Sequence, residues 1–309
     1  MNKLTNRHHS AFKGQISSLF NLQKGDHFLD LTLGDGGHTQ EALEAGAQVI
    51  SFDVDLESIN RAITFIGHQY QPILVNPRQK DLSLPQNANW VIINANMTSI
   101  KQIAKNLAFP KFKGILADLG PSQYQILSSG RGFSFHHDQP LDMRLDKNLG
   151  VTAKDLVNAL GPKELTNLFR LVDESDALTI AKAIIKEREH SPIETTNQLV
   201  GIVSKIKRGR HKIHPATKVF LALRMATNLE REVITTTLPQ LPSLLDKNGT
   251  LGVISFHSGE DRLVKQFGKT QESKKTLRVI NPKPLTPSKD ELKTTKRTRS
   301  AKLRLFKKY

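Results

Sequence analysis

The sequence predicts an α/β fold of the Rossmann-like kind, a parallel sheet covered by helices, into which an all-helical segment is inserted. Three observations support this prediction. A strand, a glycine-rich turn and a helix follow one another near the start. Apolar runs then alternate with helical spacings as far as Leu119, and the stretch from Val151 to His214 contains helical spacings alone.

The ten residues LDLTLGDGGH, Leu29 to His38, indicate a nucleotide cradle. The apolar run from Phe28 to Leu33 predicts a buried strand, and Ala42 and Leu43 form the apolar side of the helix that follows. Glycines let a ligand approach the backbone, and the start of a helix offers unpaired N–H groups. A dinucleotide is not expected, because Thr39 stands where the dinucleotide fingerprint requires a third glycine.

Carboxylates around the cradle favour S-adenosylmethionine, whose ammonium and sulfonium groups are positive. Asp30 on the strand and Asp35 in the turn would repel a pyrophosphate. Asp53 ends the next apolar run, Gln48 to Phe52, where a carboxylate accepts hydrogen bonds from both ribose hydroxyls. The alternative is that Asp35 is only a turn residue and that Asp53 only caps a helix beginning at Leu56.

The next elements extend the sheet. Helices are predicted at Leu56 to Ile66 and Ile100 to Leu107, and strands at Ile73 to Val75, Trp90 to Ile93 and Gly114 to Leu119. Ligands of open α/β sheets bind beyond the carboxyl ends of the strands. The residues after the last of these strands are therefore expected to face the cradle.

The motif at that position is DLGPSQYQ, Asp118 to Gln125. Methylation of an exocyclic amine requires the nitrogen lone pair, which is delocalised into the ring, to meet the methyl group. A carboxylate and a backbone carbonyl that accept the two N–H bonds would hold the amine in this way. The segment from Asp118 to Ser122, stiffened by Pro121, can supply both. The alternative is that Asp118 caps the following turn or binds the cofactor alone.

The helical stretch predicts a substrate-recognition insert over residues 131–213, between two parts of a cofactor-binding core at 1–130 and 214–309. Its helices are predicted at Ala153 to Leu160, Pro162 to Val172, Ala177 to Arg188 and Thr195 to Ile206. Helices at Thr217 to Arg231 and Leu238 to Leu245 and a strand at Gly252 to Phe256 follow. Alternation from Ala301 to Phe306 predicts a final strand.

The motif FHSGEDR, Phe256 to Arg262, comes after the fifth strand. A hydrolase is not expected, because the G-x-S-x-G elbow is absent, and His257 is expected to contact a base or to fix its loop. No P-loop is expected either, since Leu263 occupies the first glycine position. No metal site is expected at the remaining candidates, which are His136, His137, Asp138, Asp142, His211 and His214, because histidines in polar loops are usually not ligands.

Composition narrows the class of protein. The 309 residues contain no cysteine, which excludes disulfides, a thiolate nucleophile and sulfur-ligated zinc. No apolar run approaches the roughly 20 residues of a membrane span, so a soluble cytoplasmic protein without a membrane partner is expected.

The net charge of +16 predicts a polyanionic partner. The tail from Arg262 to Tyr309 holds +13 of it, and a second cluster comprises Lys205, Lys207, Arg208, Arg210 and Lys212. The alternative is that these residues form merely solvated surface.

Together, these motifs resemble the ribosomal RNA small subunit methyltransferase H family, also called MraW-like, over the span from His9 to Arg304. Seven motifs occur in the same order: LDLTLGDGGH, GILADLGPSQYQ, RGFSFHHDQPLDMRLD, HPATKVFLALRMATN, VISFHSGEDR, PKPLTPS and RSAKLR. The resemblance implies a class I methyltransferase fold with an inserted helical substrate domain. It also implies methyl transfer from S-adenosylmethionine to N4 of a cytidine in the 16S rRNA of the small ribosomal subunit.

Site residues follow from position in the motifs. The implied cofactor contacts are Gly36, Gly37, His38, Asp53, Met97, Asp118 and Gln125, with Met97 as the apolar surface for adenine. The catalytic candidates are Asp118, Pro121, Ser122 and His257. Phe133 or Phe135 is a candidate to stack on an extruded base.

The chain departs from the family pattern at Ser10 to Phe12, Pro121, Gln123 and Gly259. These departures keep two other functions open. One is a ribosome-binding factor that retains the cofactor fold with weakened or no turnover. The other is a methyltransferase that acts on DNA or protein. A dimer is one candidate oligomeric state.

Overall fold

The computed structural model describes residues 10–77, 84, 88–207 and 213–309. Within these residues, strands lie at β1 His27–Asp30, β2 Gln48–Asp53, β3 Ile73–Val75, β4 Trp90–Asn94, β5 Phe112–Asp118, β6 Leu245–Ser255, β7 Leu277–Val279 and β8 Lys302–Lys308. They form one sheet in the order β3-β4-β2-β1-β5-β6-β8-β7. Strands β1 to β6 are parallel, and β8 runs antiparallel to its neighbours β6 and β7.

Helices lie at α1 Ile16–Phe20, α2 Gly37–Glu44, α3 Leu56–Ala62, α4 His68–Tyr70, α5 Ile100–Asn106, α6 Gln123–Leu127, α7 Ala153–Ala159, α8 Pro162–Arg170, α9 Ala177–Arg188, α10 Thr196–Ile206, α11 Thr217–Thr227, α12 Glu230–Thr237, α13 Ser258–Ser273 and α14 Lys289–Thr294. A π-helical turn, Ile63–Gly67, joins α3 to α4, and 3₁₀ helices lie at Met97–Ser99, Leu238–Ser243 and Lys296–Ser300. None of the described helices has the length and apolar character needed to cross a bilayer.

The chain divides into two compact units. The first comprises residues 1–120 and 231–309 and contains the sheet. The second comprises residues 121–230, contains α6 to α11, and has an apolar core of its own. The predicted insert, residues 131–213, lies within this second unit, and its role in substrate recognition stays a prediction.

Both faces of the sheet are buried, which explains the nearly continuous apolar runs in its strands. Successive side chains of a strand point to opposite faces. Phe28 and Trp90 pack with α1, α2 and α3, whereas Leu29 and Val91 pack with α5, α12 and α13. The α/β class and the parallel sheet predicted from the sequence are confirmed.

Some predicted bounds were wrong. Strand β1 ends at Asp30 rather than Leu33, because the Thr32 N–H turns back to the Asp30 carboxylate. The helix predicted at Thr217 to Arg231 is two helices, because Leu229 has a φ of 50°, in the left-handed region. The strand predicted from Gly252 begins at Leu245, and the preceding helix is the 3₁₀ helix Leu238–Ser243. Of the residues discussed above, His9, Arg208, Arg210, His211 and Lys212 lie outside the described residues.

Candidate functional site

The turn between β1 and α2 requires glycine, both for its backbone conformation and for the packing of α3 and the following turn against it. Gly34 and Gly36 have φ values of 52° and 76°, which other residues rarely adopt. A Cβ on Gly36 would lie 3.1 Å from Ile66 Cδ1. Gly37 is the first residue of α2, so the unpaired N–H groups at the helix start follow directly after the turn. The predicted cradle is therefore present in the first unit.

Asp53 at the end of β2 faces this turn. Its Oδ2 accepts a hydrogen bond from the Gly34 N–H at 2.9 Å, and its Oδ1 accepts one from the Asp55 N–H at 2.9 Å. The alternative interpretation of Asp53 as the cap of α3 was wrong, because Asp55 is the cap and accepts from the Glu57 N–H. Each Asp53 oxygen keeps a second lone pair for another donor.

Burial raises the pKa of Asp53 to about 7, although the two backbone hydrogen bonds oppose the shift. The negative charges of Asp55 and Asp30 add to the rise. A carboxyl with this pKa is only partly ionised at neutral pH. A ligand that donates two hydrogen bonds to Asp53 would therefore stabilise its ionised form.

Strand β4, the neighbour of β2 in the sheet, leads to the apolar candidate Met97. Asn94 is paired with Asp53 in the sheet, and its Nδ2 donates to the Asp53 carbonyl oxygen at 3.0 Å. Met97 follows three residues later in a 3₁₀ turn and packs partly against the core. Met97 therefore follows the end of the strand next to the one that ends in Asp53. A nucleoside whose ribose bound Asp53 would have both residues at the same end of the sheet.

Asp35 does not face a ligand, so the expectation that it complements a positive cofactor was wrong. Its Oδ1 and Oδ2 accept from Arg61 Nε and Nη2 at 2.8 and 2.9 Å, and both side chains are buried. The guanidinium neutralises the carboxylate within the protein. Asp35 is therefore more than the turn residue of the alternative interpretation, because it ties the turn to α3.

Asp30 is also internal, with no exposed surface. Its Oδ2 accepts from Thr39 Oγ1 at 2.8 Å and its Oδ1 from the Thr32 N–H at 3.0 Å. Ser51 and Trp90 continue the chain of hydrogen bonds, since Trp90 Nε1 donates to Ser51 Oγ, which lies 2.8 Å from Thr39 Oγ1. Burial raises the pKa of Asp30 despite these bonds.

Sequence reasoning missed the role of Thr39, which stands where a dinucleotide fingerprint has its third glycine. Its hydroxyl holds the buried Asp30 carboxylate. The presence of a threonine, in place of the third glycine, was the sequence feature that could have indicated this hydrogen bond to Asp30.

Asp118 at the end of β5 is joined to His38 at the start of α2. His38 Nε2 lies 3.3 Å from Asp118 Oδ2, and the Asp118 N–H donates to Thr32 Oγ1 at 2.7 Å. Asp118 Oδ1 is buried and has no hydrogen-bond partner in the described part of the chain. An unsatisfied buried carboxylate oxygen is costly, so it marks a position where a ligand donor fits.

The other two motif residues of this stretch, Ser122 and Gln125, belong to the second unit. Ser122 caps α6: its Oγ accepts from the Gln125 N–H, and Gln125 Oε1 accepts from the Ser122 N–H at 2.7 Å. The alternative that Asp118 caps this turn was therefore wrong. Pro121 precedes the cap, and the catalytic roles of Pro121 and Ser122 stay predictions.

The candidate stacking residues Phe133 and Phe135 also lie in the second unit. The Phe135 ring stacks on His214 with centroids 4.3 Å apart and meets Phe220 edge to face. Phe133 lies beneath the Arg131 guanidinium, which is 5.7 Å from its centroid. Both rings thus already have partners inside the unit.

His257 caps α13, one strand away from Asp118. Its Nδ1 accepts from the Glu260 N–H at 3.4 Å, while Glu260 Oε2 accepts from the Phe256 N–H at 2.8 Å. A Cβ on Gly259 would lie 3.1 Å from the His257 ring, so glycine at this departure from the family pattern leaves room for the cap. This geometry favours the loop-fixing role of His257.

Comparison with known proteins covers nearly the whole chain. The model of the MraW methylase family matches residues 5–309. Ribosomal RNA small subunit methyltransferase H of Coprothermobacter proteolyticus is 37% identical over 305 residues, covering 97% of this chain and 96% of that protein. The proteins of the same name from Thermomicrobium roseum and a Cyanothece species are 38% and 39% identical, covering 91% and 92% of this chain and 87% and 89% of their own lengths.

Proposed function

Because this chain belongs to the MraW methylase family, we propose that it transfers a methyl group from S-adenosylmethionine to the N4 amine of a cytidine in 16S rRNA. Its relatives are named as methyltransferases of small-subunit rRNA. The observation that carries the proposal is Asp118 Oδ1, a buried acceptor without a partner in the described residues, at the same sheet edge as the glycine turn.

The residues of the first unit fit the cofactor. The turn from Gly34 to Gly37 leads directly into the N-terminus of α2, whose unpaired N–H groups suit a polar ligand, and the Asp53 oxygens can accept the two ribose hydroxyls. Met97 offers an apolar surface for adenine. Asp35 and Asp30 do not contribute, since Arg61 and Thr39 already bind their carboxylates.

S-adenosylmethionine supplies an electrophilic methyl group on a sulfonium. The cytosine nitrogen forms the new N–C bond while the C–S bond breaks, and the electron pair of that bond stays on sulfur. Asp118 Oδ1 accepts one N–H of the amine, orients its lone pair and receives the proton that the methylated nitrogen must lose. Orientation of a reactive pair accounts for most of the acceleration expected in such a direct transfer.

Helix α13 carries a basic stripe that suits an RNA backbone. The stripe consists of Arg262, Lys265 and Lys269, which are exposed and lie on the side of the helix opposite its buried residues. None of the three has an ion-pair partner among the described residues. The stripe spans about 10 Å and begins five residues after His257, which follows β6, the neighbour of β5 in the sheet. We assign phosphate contacts to this stripe.

By contrast, several other cations of the C-terminal tail are already engaged. Lys302 and Arg304 bind Asp261, and Lys308 donates to the Leu245 carbonyl oxygen. Their charges contribute to folding of the tail on the sheet, so the tail is not merely solvated.

The test is labelled-methyl transfer to small ribosomal subunits, DNA and protein, followed by mass spectrometry of the rRNA. We expect N4-methylcytidine in rRNA alone, and its absence from the rRNA of cells that lack the protein. Asp118→Asn should abolish the label without loss of cofactor affinity. Label in DNA or protein would support the second function above, and rRNA binding without transfer would support the inactive factor. On the same ground we propose a cytoplasmic location, where small ribosomal subunits would be its substrate.

A further inference from the structure

We infer that His38 is a positioning residue for methyl transfer, whose imidazole Nε2 holds Asp118 so that the second carboxylate oxygen of Asp118 faces the amine. This inference rests on the proposed function. It assigns Nε2 of the His38 ring to Asp118.

Burial of the ring supports this assignment. The side chain of His38 is only 3% exposed, whereas that of Asp118 is 19% exposed. The buried His38 Nδ1 has no partner among the described residues, so Nε2 makes the ring's polar contact there. The exposed surface of the pair thus belongs to Asp118, although its Oδ1 atom is itself buried, and the His38 ring lies deeper.

The two oxygens of Asp118 are differentiated by this contact. Oδ2 lies 3.3 Å from the imidazole, and Oδ1 is buried without a partner in the described part of the chain. The backbone of Asp118 is fixed separately, by the N–H that donates to Thr32 Oγ1. The contact with His38 therefore restricts rotation of the Asp118 side chain. This restriction fixes the direction in which Oδ1 points.

Charge provides a second reason. The carboxylates that act on His38 are Asp118 on β5, Asp30 on β1 and Glu41 on α2. Burial lowers the pKa of His38, but the hydrogen bond and charge of Asp118, with Asp30 and Glu41, outweigh burial and raise it. The imidazole therefore carries positive charge further toward neutral pH, and this charge attracts the Asp118 carboxylate oxygen that lies 3.3 Å from Nε2.

Two variants distinguish the effect of His38 on the orientation of Asp118 from the effect of its positive charge. In His38→Gln, the amide nitrogen can occupy the place of Nε2 and donate to Asp118, but it cannot carry charge. His38→Leu removes both the donor and the charge at similar volume. His68→Gln is the matched control, because His68 is exposed on α4.

The measurement is the single-turnover rate of rRNA methylation from roughly pH 6 to pH 9. Saturating cofactor removes the titration of Asp53 from the profile, and cofactor affinity is measured on each variant by calorimetry.

For His38→Leu we expect a rate at least about tenfold lower at neutral pH, the size of one lost hydrogen bond to a charged group. The decline in rate that accompanies loss of the His38 charge as the pH rises should be absent, because leucine does not titrate. His38→Gln should keep a rate within about threefold of that of the wild type but likewise lack this decline, because glutamine does not titrate. Cofactor affinity should be unchanged in both.

A decline in rate with rising pH that is the same in both variants as in the wild type would contradict the inference. So would a cofactor affinity that falls in step with the rate, since His38 would then bind the cofactor directly. A wild-type protein that leaves rRNA unlabelled would instead contradict the proposed function, and the inference with it. Thermal unfolding of each variant shows whether the fold is retained, and a Gln variant that folds but loses all activity at every pH also counts against the inference.

Discussion

Binding of S-adenosylmethionine should weaken as the pH falls below neutrality, because the proposed ribose contact requires Asp53 in its ionised form. The carboxyl of Asp53 has a pKa of about 7 in the ligand-free protein, raised chiefly by burial. Ribose hydroxyls donate hydrogen bonds, so they stabilise the carboxylate and not the carboxylic acid. Binding at acid pH must therefore release a proton.

The size of the effect follows from the fraction ionised. With a pKa near 7, about a tenth of Asp53 is ionised at roughly pH 6 and about nine tenths at roughly pH 8. The apparent dissociation constant for the cofactor should therefore rise about tenfold when the pH falls from roughly 8 to roughly 6. The stability of the ligand-free protein depends on pH in the opposite direction. The folded state keeps a proton on Asp53 that the unfolded state loses at a pKa of 3.8, so the contribution of Asp53 to the free energy of unfolding falls as the pH rises toward about 7.

Isothermal titration calorimetry in two buffers of different ionisation enthalpy measures both affinity and proton release. Asp53→Asn should bind more weakly at high pH and lose the pH dependence, because its amide has one acceptor oxygen where the carboxylate has two. Asp246→Asn, at an exposed position, is the control that should retain the wild-type profile. Equal affinity at the two pH values, or no proton release, would refute the assignment of the ribose to Asp53.

Two further predictions concern the first unit. Replacing Arg262 and Lys265 of the basic stripe by Gln should make the slope of log affinity for rRNA against log salt shallower by about 1.4, at roughly 0.7 per cation. The same change at Lys101 and Lys105, exposed on α5, should leave the slope unaltered, and equal effects of the two pairs would contradict a phosphate track on α13. Arg61→Met should lower the free energy of unfolding by about 3–5 kcal/mol in urea, because it leaves a buried carboxylate without its cation; a loss below about 1 kcal/mol would show that water reaches the pair.

Much of the fold could be predicted because its elements are encoded locally. The period of apolar residues indicates a strand or a helix, and the glycine turn before α2 has a distinctive composition. Helix α9 was predicted with the bounds that the structure shows, Ala177–Arg188. The break at Leu229 was not predictable in this way, because its left-handed φ has no glycine or proline to announce it.

The candidate site was predicted in part. Asp53 and Asp118 were placed at the sheet edge by the rule that ligands bind beyond the carboxyl ends of parallel strands, and the structure places both there. The pairing of His38 with Asp118 was not predicted, because the two residues are 80 positions apart. Only the adjacency of β1 and β5 brings them together.

By itself, the sequence determined the α/β class, the position of the cradle and the set of carboxylates around it. The tertiary structure decided which of these carboxylates a ligand can use. Arg61 neutralises Asp35, and Thr39 holds Asp30 in the core, whereas Asp53 and Asp118 keep acceptor capacity at the sheet edge. The physical reason is that a carboxylate's ionisation and free lone pairs depend on burial and on partners distant in the chain, which local patterns do not encode.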